Sequence, residues 1–149
     1  MTEQQLQDFL RSHIPATAAL GIRVLACGTD EVRILMPHAP NRNHKNTVFG
    51  GSTVLGATVC GWALVHLNCP QAAGNIVIQS SQIRYTAPAH GDLTVSAQSP
   101  GSGDWARFHK MYAAHGKGKI DLAATAFSDG LPVAEFTARY AALAGAQTK

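Results

Sequence analysis

Phe49-Gly50-Gly51-Ser52 stands where a polar loop runs into a long uncharged segment, and these four residues offer the chain's plainest chemistry. The opening turn of a helix leaves its first backbone N–H groups unpaired, and with the helix dipole they favour negative charge. Aimed at a carbonyl oxygen, such donors stabilise the oxyanion that forms when a nucleophile adds. Two consecutive glycines admit a carbonyl-bearing ligand without a Cβ in its path. The same residues have a purely structural reading, in which the glycines permit a tight turn into the helix and Ser52 caps it.

Other chemistries find less support. No G-x-S-x-G elbow or Ser–His–acid arrangement is visible, and G-G-S-T lacks the lysine of a phosphate-binding loop. The histidines, His44 and His66 among them, lack metal-ligand spacing, so no metal is expected. Cys27, Cys60 and Cys69 form no C-x-x-C pair and read as reduced, mostly buried thiols of a cytoplasmic protein. Within an apolar helix, Cys60 is better read as packing than as a nucleophile.

The helix that would carry this turn runs from Gly50 to Leu67. No Asp, Glu, Lys or Arg occurs between Lys45 and Arg84, and the helical part is apolar on nearly every face. Such a helix is either enclosed by protein or inserted in lipid. Val48–Leu67 is about long enough to span a bilayer, yet it is rich in Gly, Ser and Thr and lacks basic and aromatic anchors on both flanks. Enclosure is therefore expected, with no membrane span.

The rest of the chain supplies the enclosing elements. Leu6, Phe9 and Leu10 predict an amphipathic helix over 3–12, ended at Pro15, with a further turn at 16–20. Ile22–Ala26 and Glu31–Met36 read as a hairpin about Gly28-Thr29-Asp30, with Val32, Ile34 and Met36 on one face. Residues 37–47 form a polar loop rich in Pro and Asn. Strands are predicted over 75–87, 93–99, 119–127 and 133–143, the last two joined at Asp129-Gly130. Trp105, Phe108, Met111 and Tyr112 recur at helical spacing, which predicts a helix over 104–115, with a strand as the competing reading. The last six residues read as a frayed tail. Six strands and one buried helix make an α+β domain in which a concave sheet wraps the helix.

At 149 residues with 46% hydrophobic content, the chain is one domain spanning 1–149, with ample material for a core. Only 14% of residues are charged, which suggests that some surface is covered by self-association. The net charge of +3 is scattered, and no nucleic-acid motif accompanies it, so no nucleic-acid partner is expected. The start MTEQQLQDFL does not read as a secretory signal.

Four stretches together resemble one branch of the hot-dog superfamily: Ala39–Ser52 ending T-V-F-G-G-S, the helix with Thr58 and Gly61-Trp62, I-R-Y-T-A-P-A-H-G-D at Ile83–Asp92, and D-G-x-x-V-A-x-F at Asp129–Phe136. The chain is similar to the thioesterase family typified by the C-terminal domain of bacterial YiiD, and the resemblance covers nearly its whole length. It implies the hot-dog fold and a homodimer or larger assembly. It also implies an acyl-CoA site between subunits, with the acyl tail beside the central helix.

Several site residues follow from the resemblance. Better-known hot-dog thioesterases place an Asn in the loop before the helix, and that position falls on Asn43, whose amide would orient thioester or water. An Asx turn is the alternative. Gly51, with Phe49 and Gly50 beside it, would supply the carbonyl-polarising turn. The carboxylate that activates water in those relatives falls on Thr58, which can hold a water but cannot act as a strong base. Ser80 or Ser81, from a strand near the partner's helix, would meet that water across the dimer. Cross-strand hydrogen bonding is the competing role. By charge alone, Arg84, Arg42 and Lys45 are candidates for coenzyme A phosphates at a pocket mouth, with solvated surface charge as the default reading.

The leading expectation is hydrolysis of an acyl thioester, an acyl-CoA in the first instance, by direct water attack. No cofactor is expected, coenzyme A entering only as part of the substrate. A non-catalytic acyl-CoA-binding or sensing module would keep the apolar tunnel and Gly50-Gly51 without strong acid–base groups. A dehydratase or hydratase would need a His–carboxylate pair that the apolar helix lacks.

Overall fold

A computed structural model describes residues 1–145. Its strands form a six-stranded antiparallel sheet ordered β1-β2-β4-β5-β6-β3. The strands are β1 (Arg23–Cys27), β2 (Glu31–Met36), β3 (Ile76–Tyr85), β4 (Leu93–Gln98), β5 (Lys117–Ser128) and β6 (Leu131–Leu143). The helices are α1 (Glu3–His13), α2 (Ala16–Ala19), α3 (His38–Asn41), α4 (Gly50–Asn68) and α5 (Ser102–His115).

Alternation decides which side of the sheet each residue takes. Val32, Ile34 and Met36 of β2, Leu93, Val95 and Ala97 of β4, and Ile120, Leu122 and Ala124 of β5 are buried on the concave face. Their neighbours, such as Arg33, Lys119, Asp121 and Arg139, stand exposed on the convex face. At the β5–β6 turn, Asp129 (φ 52°) and Gly130 (φ 77°) both take the left-handed conformation that a two-residue hairpin needs.

α4 lies in this concavity and packs against β2, β3, β4, β5 and β6. It is apolar all round because protein surrounds it: 61% of its most apolar 18-residue window is buried, although length and mean hydropathy alone would let it span a bilayer. Two glycines set how closely it sits. A Cβ on Gly56 would strike Met36 Sδ, and one on Gly61 would strike the Tyr140 hydroxyl, which instead donates to the Thr58 carbonyl at 2.8 Å.

Residues 104–115 are helical, as their spacing predicts. α5 buries Trp105 and Phe108 and closes at Gly116 in the left-handed conformation (φ 69°). The loop over 37–47 is more ordered than its composition implies: it contains α3, and Arg42 and Val48 form an isolated antiparallel bridge. Of the frayed tail predicted over 144–149, residues 146–149 lie outside the described residues. Ala144 N–H is held by Gly116 O at 2.8 Å.

β3, the next strand after α4 in sequence, lies at one edge of the sheet, with β1 at the other. Nearly all of β3 is exposed, including Val77, Ile78 and Tyr85.

Candidate active site at the start of the central helix

The opening of α4 is built by contacts from three segments. Phe49 is the N-cap residue in extended conformation (φ −62°, ψ 133°), and no side chain caps the helix. Ser52 lies inside the first turn and is buried rather than capping. Phe49 N–H donates to Asn41 O at 2.7 Å, and Val48 N–H donates to Ala89 O at 2.9 Å. Ser52 and Thr53 N–H both turn to Phe49 O, at 3.0 and 3.2 Å. Among the described residues, Gly50 and Gly51 N–H find no acceptor. These two amides are the unpaired donors that a helix start leaves over.

Side chains leave room for both glycines. The Phe49 ring folds back over Gly51, where a Cβ would come within 2.5 Å of the ring. Tyr85, at the end of β3, donates its hydroxyl to Gly50 O at 2.7 Å, and a Cβ on Gly50 would stand 3.2 Å from that hydroxyl. Burial pushes the Tyr85 phenol pKa up, so it remains a donor. A groove of about 530 Å³ opens beside the helix start, lined by Gly50, Gly51, Thr53, Tyr85 and the 86–89 turn, with no charged side chain in its wall.

The other predicted residues are distributed around this turn. Asn43 Oδ1 accepts from Lys45 N–H (2.9 Å), Thr47 N–H (3.1 Å) and Thr47 Oγ1 (3.2 Å), an Asx turn that consumes its carbonyl and leaves its NH₂ uncommitted. Thr58 is half-buried two turns into α4, and its hydroxyl donates to Val54 O at 2.8 Å, leaving its lone pairs free. The two serines separate by face. Ser81 is in register with buried Ala138 on the concave side, whereas Ser80 is in register with Arg139 on the convex side. Arg84 also points to the convex side, where it pairs with Glu135 at 2.9 Å, away from Tyr85 and Gly50.

Tyr85 escapes a motif-based reading, and the signal available was a tyrosine closing a strand just before T-A-P. Cys60 is fully buried, donates to Val32 O at 3.1 Å, and has its thiol pKa pushed up to about 12 by burial, which fits a packed thiol and not a nucleophile. His66 is buried on α4 between Phe9 and Trp62, and its Nδ1 has no partner among the described residues. Among the described residues no three His, Cys, Asp or Glu side chains converge to hold a metal ion.

A curved antiparallel sheet closed around one long apolar helix is the hot-dog fold, and solved structures of that fold superpose on the chain. A protein of unknown function from Chlorobaculum tepidum TLS matches at 26% identity and a TM-score of 0.89, covering 96% of this chain and 94% of its own. A thioesterase from Shewanella oneidensis, described as putative, matches at 28% identity and a TM-score of 0.80, covering 95% of this chain and 97% of its own. A Pseudomonas aeruginosa protein described as a probable thioesterase shares the fold at 22% identity and a TM-score of 0.79, covering 95% of each chain. Residues 3–144 match the family described as "Putative thioesterase (yiiD_Cterm)", and the chain belongs to that family.

Proposed function

We propose that this protein hydrolyses an acyl-CoA by direct attack of water. The observation that carries this reading is the pair of unpaired amides, Gly50 and Gly51 N–H, opening onto an uncharged groove. The thioester carbonyl accepts from both amides, which stabilise the oxyanion as water oxygen bonds to the carbonyl carbon. The added water gives up one proton to solvent, the C–S bond then breaks, the coenzyme A thiolate leaves and takes a proton from solvent, and the carboxylic acid is released. A thiolate is a good leaving group, so its departure needs no protonation by a general acid. Thr58 Oγ1, which donates to Val54 O, accepts a hydrogen bond from the water; because Thr58 lies roughly 10 Å of helical rise beyond Gly51, the thioester that this water attacks is one held at the helix start of the partner subunit. Asn43 contributes its uncommitted NH₂.

The active unit in this reading is a cytoplasmic homodimer formed along the free edge of β3, where Val77 and Ile78 are exposed. The partner subunit's Ser81 then reaches the water held by Thr58. The competing reading, an acyl-CoA-binding module without turnover, draws support from the groove wall, which contains no carboxylate or histidine.

The test is free-thiol release from purified protein and acyl-CoAs, with Asn43→Ala and Thr58→Ala alongside and light scattering to fix the oligomer. Turnover lowered in both variants supports the site, and unchanged turnover in both overturns it. Tight acyl-CoA binding without thiol release establishes the binding module instead.

A further inference from the structure

Thr53, at the end of the first turn of α4, has a hydroxyl that the fold does not use. It is 4% exposed and lines the groove at the helix start together with Gly50 and Gly51. A helical threonine ordinarily gives its hydroxyl to the carbonyl three or four residues back, as Thr58 does to Val54 O at 2.8 Å. Both carbonyls within reach of Thr53 are taken. Phe49 O already accepts the Ser52 and Thr53 N–H groups at 3.0 and 3.2 Å, which fills both its lone pairs. Gly50 O holds the Tyr85 hydroxyl at 2.7 Å. Among the described residues, the Thr53 hydroxyl is left without a partner.

That hydroxyl is not sealed off either. The side-chain polar atoms that are both sealed from solvent and unpartnered among the described residues belong to Asn41, His66 and Trp105. Thr53 is not one of them, so its hydroxyl reaches open space, and the space it adjoins is the groove. Two other hydroxyls stand in the groove wall, and both are committed: Tyr85 to Gly50 O, and Thr86 to Pro132 O at 3.5 Å.

The helix sets where Thr53 is aimed. Cα–Cβ bonds tilt toward a helix N-terminus, so a side chain covers the turn before its own Cα. For Thr53 that turn begins at Gly50 and presents the free amides. Residues three apart on a helix face stand about 5–6 Å from each other. One oxygen atom about 3 Å from each therefore bridges the Gly50 amide and the Thr53 hydroxyl.

We propose that Thr53 is a catalytic residue of this site, its hydroxyl donating a third hydrogen bond, beside Gly50 and Gly51 N–H, to the oxyanion formed on a thioester carbonyl. This rests on the acyl-thioester reading above. As water oxygen bonds to the carbonyl carbon, the C=O π pair moves onto the carbonyl oxygen, and the hydrogen bond from Thr53 tightens with that charge. Thr53 keeps its proton throughout. When the pair returns to re-form C=O, the C–S bond breaks and the thiolate leaves. The bond is strongest in the charged state, so it lowers the barrier more than it strengthens substrate binding.

The test is kcat and KM by free-thiol release from butyryl-, octanoyl- and palmitoyl-CoA for wild type, Thr53→Val, Thr53→Ser and Thr53→Ala, with thermal melts to confirm folding. Valine keeps the shape and removes the hydroxyl. Serine and alanine both lose the methyl and differ from each other only in the hydroxyl, so this pair isolates it even where valine does not fold. Thr53→Val and Thr53→Ala are expected to lose about tenfold or more in kcat with KM within about twofold, while Thr53→Ser stays within about threefold of wild type. Folded valine or alanine variants with wild-type kcat overturn this inference and leave the hydrolase reading standing. So does an equal loss in the serine and alanine variants, which assigns Thr53 to packing. Wild-type protein that releases no thiol from any of the three overturns both.

Discussion

The Tyr85 hydroxyl donates to the Gly50 carbonyl at 2.7 Å, tying the exposed edge strand β3 to the first turn of the central helix. The helical ladder begins one residue earlier, at Phe49 O, and Tyr85 adds a bond to the next carbonyl that steadies the turn presenting the free amides. Tyr85→Phe keeps the ring and removes one hydrogen bond, worth about 0.5–1.5 kcal/mol. Thioester turnover is expected to fall roughly three- to tenfold with the oligomeric state unchanged. Wild-type kinetics in this variant would show that the tie has no part in catalysis.

Gly51→Ala and Gly61→Ala should separate function from stability. At Gly51 the new methyl meets the ring of Phe49, which is 57% exposed and can swing outward, so folding survives while the amide at that turn becomes crowded. At Gly61 it meets the hydroxyl end of fully buried Tyr140, which cannot move without losing its bond to Thr58 O. Gly61→Ala is expected to cost about 1–3 kcal/mol, seen as a lower thermal midpoint, and Gly51→Ala to lose turnover with a near-native midpoint. The reverse pattern would contradict this division.

Stability should depend on pH through His66. Burial, with a smaller contribution from His13, lowers its pKa below the ordinary 6.5. The unfolded chain therefore binds the proton more readily than the folded protein, and stability rises with pH across the window between the lowered value and 6.5. The contribution is complete above that window and lost as pH falls through the folded value. Glu31 and Asp121 are held low by hydrogen bonds from Arg33 and Arg139, and their contributions are lost as pH falls below the ordinary carboxylate values of 4.5 and 3.8. His66→Phe retains the stack on Phe9 and removes the titration. Thermal melts at pH 5.5 and 7.5 should differ less in this variant than in wild type, and an equal difference would exclude His66 as the source.

Cys60 should behave as core. With its thiol pushed up to about 12 and donated to Val32 O, it should resist iodoacetamide at pH 8 in the folded protein and react after denaturation. Cys60→Ala should keep thioester turnover within about twofold while lowering stability by about 1 kcal/mol, the scale of one buried hydrogen bond. Loss of turnover in a folded Cys60→Ala protein would reopen a nucleophilic role.

The features legible in the sequence are local or periodic ones. The run without charge from Asn46 to Ile83 marks the buried helix, the alternation of Val32, Ile34 and Met36 marks a half-buried strand, and Asp129-Gly130 marks a hairpin. Each is set by one segment's own propensities and its need to bury an apolar face. The spacing of Trp105, Phe108, Met111 and Tyr112 points to a helix over 104–115 but leaves a strand open, and the structure decides for a helix over Ser102–His115.

The tertiary structure decides the partnerships. Alternation tells which face a residue takes but not which strand lies beside it, so the edge position of β3 is invisible until the sheet closes in the order β1-β2-β4-β5-β6-β3. That order brings Tyr85 to Gly50 and Ile76 to Trp62, and the bulge between Ile78 and Ser80 turns Ser81, not Ser80, toward the helix. The choice of free amides is likewise tertiary. Every helix start has unpaired N–H groups, but here Asn41 O takes Phe49 N–H and Phe49 O takes those of Ser52 and Thr53, leaving Gly50 and Gly51. Hydrogen bonds between segments far apart in the chain depend on how the whole sheet folds over the helix, and no local pattern encodes them.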